Sequence, residues 1–378
     1  MTSDVVLAVT YYSPYVSGLT EVVRAEAEGL TKRGFTVTVV TNQHDPDLPS
    51  NSMVNGVTVV RCPVQFRLGR GTFAPTFAPT VLRHARQAKA LHIHAPMLEA
   101  GPIARLARNT TRTVLTHHID LWVPRTLSSP LAVATANVST KVAIRNADLT
   151  IVNSDDQAHG SRFWPDLDRR PWTAIPAACH DRRGGQARYR QGEGHHFGFL
   201  GRIVEDKGLR YLVNAFRQVP DPHARLLIGG DHINVAGGST MSTLQADITD
   251  DPRISTLGLL RGQELDDFYA SIDTFMLPSV AESFGIAQAE AIMSGSPSIT
   301  TDIPGGRYPV AATGLGRLVP PRDSDALAAA MQHPHDLTRE EVDSAAAWAR
   351  TAFGIESFLD QHVASLNLTS TTTTTIAS

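Results

Sequence analysis

The segment PSVAESFGIAQAEAIMSGSPSIT, residues 278–300, carries two glutamates, Glu282 and Glu290, with seven residues between them. TFMLPS before it reads as a strand and FGIAQAEAIMSG as a helix. Glu282 then lies in the strand-to-helix loop, and Glu290 about two turns inside the helix, about 10 Å further along its axis. A retaining glycosidase pair needs carboxyls about 5–5.5 Å apart. These two are spaced instead to hold both ends of an elongated ligand by its hydroxyls. Between them the helix start offers the N–H groups of Phe284, Gly285 and Ile286, which with the helix dipole favour an anion. Hydroxyls, phosphate, hydroxyls is the order of groups in a nucleotide sugar. The plain alternative is a loop charge at Glu282 and a solvated helix residue at Glu290.

A second cluster lies in FGFLGRIVEDKGLRYLVNAF. A strand ends at Gly201, and Arg202 and Lys207 flank a short loop before a helix. Two cations and a glycine at the carboxyl end of a strand suit a diphosphate. The chain has 30 arginines and 4 lysines, and after residue 150 Lys207 is the one lysine beside 18 arginines. Lysine is a compact point charge, fit for a phosphate in a narrow place. In VLTHHIDLWVP, His117 and His118 close another strand. Neighbours on a strand point to opposite faces, so the pair is not a metal site, and at most one ring faces a ligand. The other reading is a hydrogen-bonded structural histidine. YYSPYVSGLTEVV is a loop whose Gly18 lets a ligand approach backbone N–H groups, but it lacks the G-x-G-x-x-G of a nicotinamide site. No metal cluster is legible; Asp45 and Asp47 around Pro46 are a polar loop.

The elements that would position these groups alternate. DVVLAVTYY, TVTVVT, GVTVVRCPV, ALHIHAP, RTVLTHH and LTIVNS read as strands, with helices in TEVVRAEAEGLTKRGF and GPIARLARNT. This is a βαβ pattern with a parallel sheet. After the Arg-, Gly- and Pro-rich stretch from Arg169 to Glu193, a second set begins: HHFGFLGRI, HARLLIGG, RISTLG, DTFMLPS, SPSITTD and GRLVPP. At 378 residues the chain exceeds one core. The expected plan is a first Rossmann-like domain over 1–175, a linker over 176–195, a second domain over 196–338, helices over 339–366 packing back on the first domain, and a disordered Thr-rich tail over 367–378. Ligands in doubly wound sheets bind at the carboxyl ends of the strands.

Composition narrows the class. No 18-residue apolar run occurs and the start lacks a basic n-region, so the sequence reads as soluble and without a signal peptide. Cys62 and Cys179 are the two cysteines, which excludes a disulfide framework and suits a reducing cytosol. The net charge of −3 divides into +6 over residues 1–150 and −9 over the remainder. From Leu48 to Leu98 no acidic residue occurs, while Arg61, Arg67, Arg70, Arg83, Arg86 and Lys89 all fall there. The two halves face different partners or different fields.

Taken in order, GRIVEDKGL, RLLIGGD, ISTLGLLRGQELDDFYASIDTFMLPS, ESFGIAQAEAIMSGSPSITTD and GLGRLVPPRDSDALAAA resemble the retaining glycosyltransferases of family 4, and the resemblance covers most of the chain. It implies the α/β GT-B fold, two doubly wound Rossmann-like domains facing across a cleft. It implies a nucleotide-diphosphate sugar as co-substrate with no further cofactor and no metal. Glu282 would contact the donor sugar, Glu290 the ribose, and Arg202 and Lys207 the pyrophosphate. His117 would lie against the sugar near the reacting carbon. The second half would bind the donor and the basic first half an acceptor, anionic or at a membrane surface, in the cytoplasm or at its inner membrane face; nucleic acid is not expected. The sequence departs from the family in Ser17-Gly18, in IPAACHD with Ala177 and Ala178, and in the loop over 231–243. Two rival activities stand beside this one: a sugar-nucleotide epimerase on the same fold, and a non-catalytic sugar-nucleotide-binding subunit.

Overall fold

A computed structural model describes residues 2–68, 71–121, 130–231, 239–333 and 337–369. The chain divides into two compact units, Met1–Ala178 with Ile355–Ser378, and Cys179–Gly354.

Unit 1 contains strands β1 (Val5–Ala8), β2 (Val37–Gln43), β3 (Asn51–Val54), β4 (Val57–Pro63), β5 (Phe66–Leu68), β6 (Gly71–Phe73), β7 (Ala90–Ala95), β8 (Arg112–His117), β9 (Leu149–Val152) and β10 (Trp172–Ala174). Its helices are α1 (Gly18–Lys32), α2 (Phe77–Ala85), α3 (Ala100–Ala107), α4 (Pro130–Asn146), α5 (Asp155–Gly160) and α6 (Trp164–Leu167). Eight strands form one sheet in the order β10-β9-β8-β7-β1-β2-β4-β3. Only the edge pair β3–β4 is antiparallel. Every residue of β1 and β7 is buried, because helices cover both faces of a parallel sheet. The six apolar runs read from the sequence are β1, β2, β4, β7, β8 and β9. The others, β3, the β5–β6 hairpin and β10, are short pieces of three or four residues, and β3 and β10 lack a fully buried position.

Unit 2 contains β11 (His196–Leu200), β12 (Arg225–Gly229), β13 (Ile254–Gly258), β14 (Thr274–Leu277), β15 (Ser298–Thr301) and β16 (Gly316–Val319). The helices between and after them are α7 (Leu209–Phe216), α8 (Met241–Thr249), α9 (Gln263–Ser271), α10 (Ile286–Met293), α11 (Tyr308–Thr313), α12 (Ser324–Gln332) and α13 (Arg339–Phe353). All six strands are parallel, in the order β13-β12-β11-β14-β15-β16. Phe197 and Phe199 of β11 pack with α7, α8 and α12 on one face. Leu227, Phe275 and Leu277 pack with Phe268 and Tyr269 of α9 on the other. Consecutive strand residues serve opposite cores, as the pleat requires.

The C-terminal helices separate. α13 packs on α10 in unit 2, whereas α14 (Ile355–Ser365) belongs to unit 1 and lies along α1. A Cβ on Gly29 of α1 would sit 2.5 Å from Leu359 Cδ1, so the glycine leaves room for the Leu359 side chain of α14 as it packs here. Arg33 holds α14 at its rim through Glu356 at 2.6 Å and Asp360 at 2.7 Å.

The expected linker is not a free tether. From Cys179 it is laid on α9 and its neighbours, with Arg182 on Asp266, Arg188 on Asp267 and Arg190 on Asp273 at 2.9–3.3 Å. Its arginines meet a row of aspartates, which their spacing alone did not reveal. Arg70, residues 232–238 of the unusual loop and the tail from residue 370 lie outside the described residues.

Candidate active site

In unit 2 the strand order reverses between β11 and β14. Loops that leave neighbouring strands in opposite directions open a crevice at their carboxyl ends, where doubly wound sheets bind ligands. Gly201, Arg202 and Lys207 follow β11, and Glu282 follows β14.

Glycines bring these loops together. A Cβ on Gly230 would lie 1.7 Å from Gly201 O, so the ends of β11 and β12 close without side chains between them. A single 3-10 turn, Glu205–Lys207, ends at Gly208, whose φ is +67°. A Cβ there would meet Pro278 O at 2.0 Å, which seats the turn on the loop after β14. The Val280 N–H donates to Asp206 O at 2.8 Å and fixes the same contact.

Lys207 Nζ therefore donates to Glu282 Oε2 at 2.6 Å, with 18% of the lysine and 10% of the glutamate side chain exposed. Ser283 N–H donates to the other oxygen at 3.0 Å. Burial opposes ionisation of Glu282, but Lys207, the Ser283 N–H and the Arg202 guanidinium outweigh it and hold the carboxyl below the usual glutamate range. The loop after β15 closes the site from a third side. A Cβ on Gly305 would lie 2.5 Å from Ser283 O, and one on Gly306 would lie 3.0 Å from Glu282 Cβ. Sequence reading passed over this Gly-Gly pair; its signal was a double glycine directly after a strand ending.

The helix behind Glu282 begins later than its sequence suggests. Gly285, at φ +85°, is the N-cap of α10 and cannot be helical, so the first turn is Ile286, Ala287 and Gln288. The N–H groups of the first helical turn are therefore those three, with the Gly285 N–H before them at the N-cap. No side chain caps them. Phe284 is an anchor, buried edge-on against Phe353 at 5.3 Å.

Glu290 consequently lies just over one turn into α10, and the structure occupies it fully. Its Oε1 accepts from His180 N–H at 3.0 Å and Arg182 Nη2 at 3.5 Å, and its Oε2 from Arg182 Nε and the Tyr269 hydroxyl, both at 3.1 Å. Four acceptor sites meet four donors. A ligand hydroxyl must displace one of them.

Gly18 and His117 lie in unit 1. Gly18 opens α1 behind a capping box made by Ser17 and Thr20, and a Cβ on it would meet nothing within 4 Å. The two histidines part, as strand alternation requires. His117 Nε2 contacts Asp120 Oδ1 at 2.9 Å, while His118 Nε2 contacts His94 Nδ1 at 3.0 Å inside the unit. Asp120 also accepts from Ser161 and the Arg162 N–H; burial works against it, yet these bonds keep it ionised well below the usual aspartate range. Among the described residues His117 Nδ1 has no partner. The basic stretch is only partly a surface. Arg61 is buried, its guanidinium held by Pro49 O, Ser52 Oγ and Ser13 O, and Lys89 pairs with Asp4 at 2.8 Å. Arg67, Arg83 and Arg86 are exposed, as are the stacked Phe66 and Phe73.

Two family models match the chain, one described as "Glycosyl transferase 4-like domain" over residues 17–178 and one as "Glycosyl transferases group 1" over 194–334. D-inositol 3-phosphate glycosyltransferase of Corynebacterium urealyticum is 26% identical over 83% of this chain and 81% of its own. With two other curated relatives the match spans only 33% and 31% of the relative's length. Among solved structures, sucrose-phosphate synthase from Thermosynechococcus elongatus superposes with a TM-score of 0.77 at 20% identity, covering 95% of this chain and 96% of that one. The Anabaena protein HepE, in complex with UDP-glucose, gives 0.69 at 19%, covering 96% and 99%. Likeness at this level establishes the fold, two Rossmann-like α/β halves of the GT-B class.

Proposed function

The chain belongs to the group 1 glycosyl transferases, and from that premise we propose that it moves a sugar from a nucleotide-diphosphate sugar to a hydroxyl acceptor, with retention at the anomeric carbon and without a catalytic metal. The observation that carries the proposal is the Lys207–Glu282 pair at the β11/β14 reversal, with Arg202 beside it and the uncapped start of α10 next to it. The complex of HepE with UDP-glucose supports a donor of that class.

In this reading Lys207, Arg202 and the first N–H groups of α10 receive the diphosphate, and Gly201 lets it approach the backbone. Glu282 accepts from a hydroxyl of the donor sugar. Glu290 takes the ribose hydroxyls in exchange for its longest donor, Arg182 Nη2. Gly18 is the proposed backbone approach in unit 1, and His117, through its unpartnered Nδ1, the proposed contact near the reacting carbon. The bond from the anomeric carbon to the diphosphate oxygen breaks, and the acceptor oxygen bonds to the same face of that carbon. The acceptor proton passes to the departing phosphate oxygen. Charge develops on the leaving diphosphate, where two fixed cations stabilise it as a divalent metal would. The phosphate in the relatives' names supports an anionic acceptor, with the exposed arginines of unit 1 as its partners.

The test is a thermal-shift screen of nucleotide sugars, followed by product analysis with candidate acceptors. A stabilising nucleotide sugar and a product with the donor's anomeric configuration are expected. An inverted product removes the retaining mechanism, and an isomerised donor formed without acceptor makes the protein an epimerase. Turnover that survives brief EDTA treatment is expected; turnover restored only by magnesium or manganese overturns metal independence.

A further inference from the structure

Below the sheet of unit 1, four side chains far apart in sequence meet in a place the transfer chemistry does not use. Glu26 of α1, His92 and His94 of β7 and His362 of α14 are all buried. His92 Nδ1 lies 2.7 Å from Glu26 Oε1, and His94 Nε2 and His362 Nε2 lie 3.4 Å and 3.9 Å from Glu26 Oε2. The ligand atoms of Glu26, His92 and His362 all fall within 4.8 Å of one another.

We propose that Glu26, His92 and His362 form a structural zinc site that fastens α14 to α1 and β7, with His94 Nε2, 3.4 Å from Glu26 Oε2, as a fourth donor at its edge. Three imidazoles and one carboxylate are a common donor set for tetrahedral Zn²⁺. The outer contacts are those such a site needs. His362 Nδ1 is 2.8 Å from Phe358 O, and a carbonyl only accepts, so the proton sits on Nδ1 and Nε2 turns a lone pair toward Glu26. Thr116 Oγ1 lies 2.7 Å from His92 Nε2 and takes its proton when Nδ1 binds metal. His118 Nε2 supports His94 Nδ1 at 3.0 Å.

Two orphaned atoms point the same way. Glu26 Oε2 and His94 Nε2 are buried without a hydrogen-bond partner among the described residues. Such atoms are costly in a native interior, and a bound ion is one of the few ways to satisfy them.

The test uses the full chain, stripped with chelator and titrated with Zn²⁺ alone. One equivalent should bind, with a rise in Tm of about 5 °C or more at a hundredfold excess over Kd. His362→Gln and Glu26→Gln, checked for folding by circular dichroism, should each weaken binding at least about tenfold. Should either variant misfold, Co²⁺ decides on the parent chain. Intense visible bands of a tetrahedral ion support the site, and a weak octahedral spectrum overturns it. Substoichiometric zinc on the parent, or equal binding by both folded variants, also overturns it.

Discussion

The parallel strands of both sheets reverse beside the first strand of their unit, at β1/β7 in unit 1 and β11/β14 in unit 2, yet the two reversals are furnished differently. In unit 2 the loops carry Arg202, Lys207 and Glu282, partly open and electrostatically coupled. In unit 1 the loop after β1 is aromatic, with Tyr11 stacked on Tyr15 at 4.7 Å and His44 edge-on at 5.6 Å from Tyr15. Its clustered titratable groups, Glu26 and the histidines, are sealed under the sheet instead. The same topology thus supplies two kinds of mouth. Among the described residues the second presents Lys207 and Arg202 beside an uncapped helix start, and for this reason we propose the donor site there.

Lys207 is where this contrast is easiest to break. Lys207→Ala should lower kcat/KM about 10²- to 10³-fold, a loss of about 2.7–4 kcal/mol typical of one electrostatic donor to a reacting oxyanion. Lys207→Arg is expected to fall nearly as far. The lysine leaves a turn pressed by Gly208 onto Pro278 O, and its Nζ already sits 2.6 Å from Glu282, so a wider planar group lacks room. Steady-state kinetics decide. Activity of Lys207→Arg within about threefold of the parent would reduce the lysine to a charge.

Glu290 sharpens the contrast within unit 2. Where Glu282 faces the crevice, Glu290 ties the 179–183 segment and α9 to α10. Glu290→Ala should cost about 1–3 kcal/mol of unfolding free energy, since it removes the acceptor shared by the His180 N–H, Arg182 and the Tyr269 hydroxyl and leaves Arg182 with Asp266 and Tyr269 with Ala287 O alone. Urea unfolding measures this, and an unchanged midpoint would show that the four donors find other partners.

These two glutamates also mark how far sequence reading reached. All six strands of unit 2 were visible because parallel strands buried on both faces are short apolar runs, and the Lys207 and Glu282 loops followed from where those runs end. The start of α10 was misplaced by two residues because a glycine at positive φ leaves no mark distinguishing it from one in a helix. Arg61 was read as part of a basic face, but a single arginine does not announce that three oxygens enclose it. The zinc cluster was invisible for a different reason. Residues 26, 92, 94 and 362 have no ligand spacing beyond one i,i+2 pair, and only the return of α14 completes the set.

Acid should separate the two mouths by a smaller amount. The folded Glu282 carboxyl titrates below its unfolded value of 4.5, so its contribution to stability is complete above that pH and is lost as pH falls through the folded value. Donor affinity by titration calorimetry is therefore expected to be flat from pH 8 to about 5.5. Below about 4.5 it should fall by at most about tenfold per pH unit for one proton. A decline centred near pH 6.5 would instead assign the donor contact to a histidine.

The smallest expected effect concerns the basic side of unit 1. Six cations between Arg61 and Lys89 suggest a steep salt response toward an anionic acceptor, but the fold withdraws two of them. Arg61 is buried, and Lys89 is paired with Asp4. Arg67 spends a guanidinium nitrogen on His44 O. Arg83 and Arg86 remain exposed on α2 and just after it. Exposed charges are screened over about 8–10 Å at physiological salt, and each such pair contributes about 0.2–1 kcal/mol. Acceptor KM should therefore rise only about two- to threefold between 50 and 200 mM salt, with Arg83→Ala and Arg86→Ala each removing part of that slope. A response of tenfold or more would mean that the acceptor reaches the buried cations and that unit 1 rearranges to bind it. A flat response would leave the stacked Phe66–Phe73 pair, rather than charge, as the feature of this face that meets the acceptor.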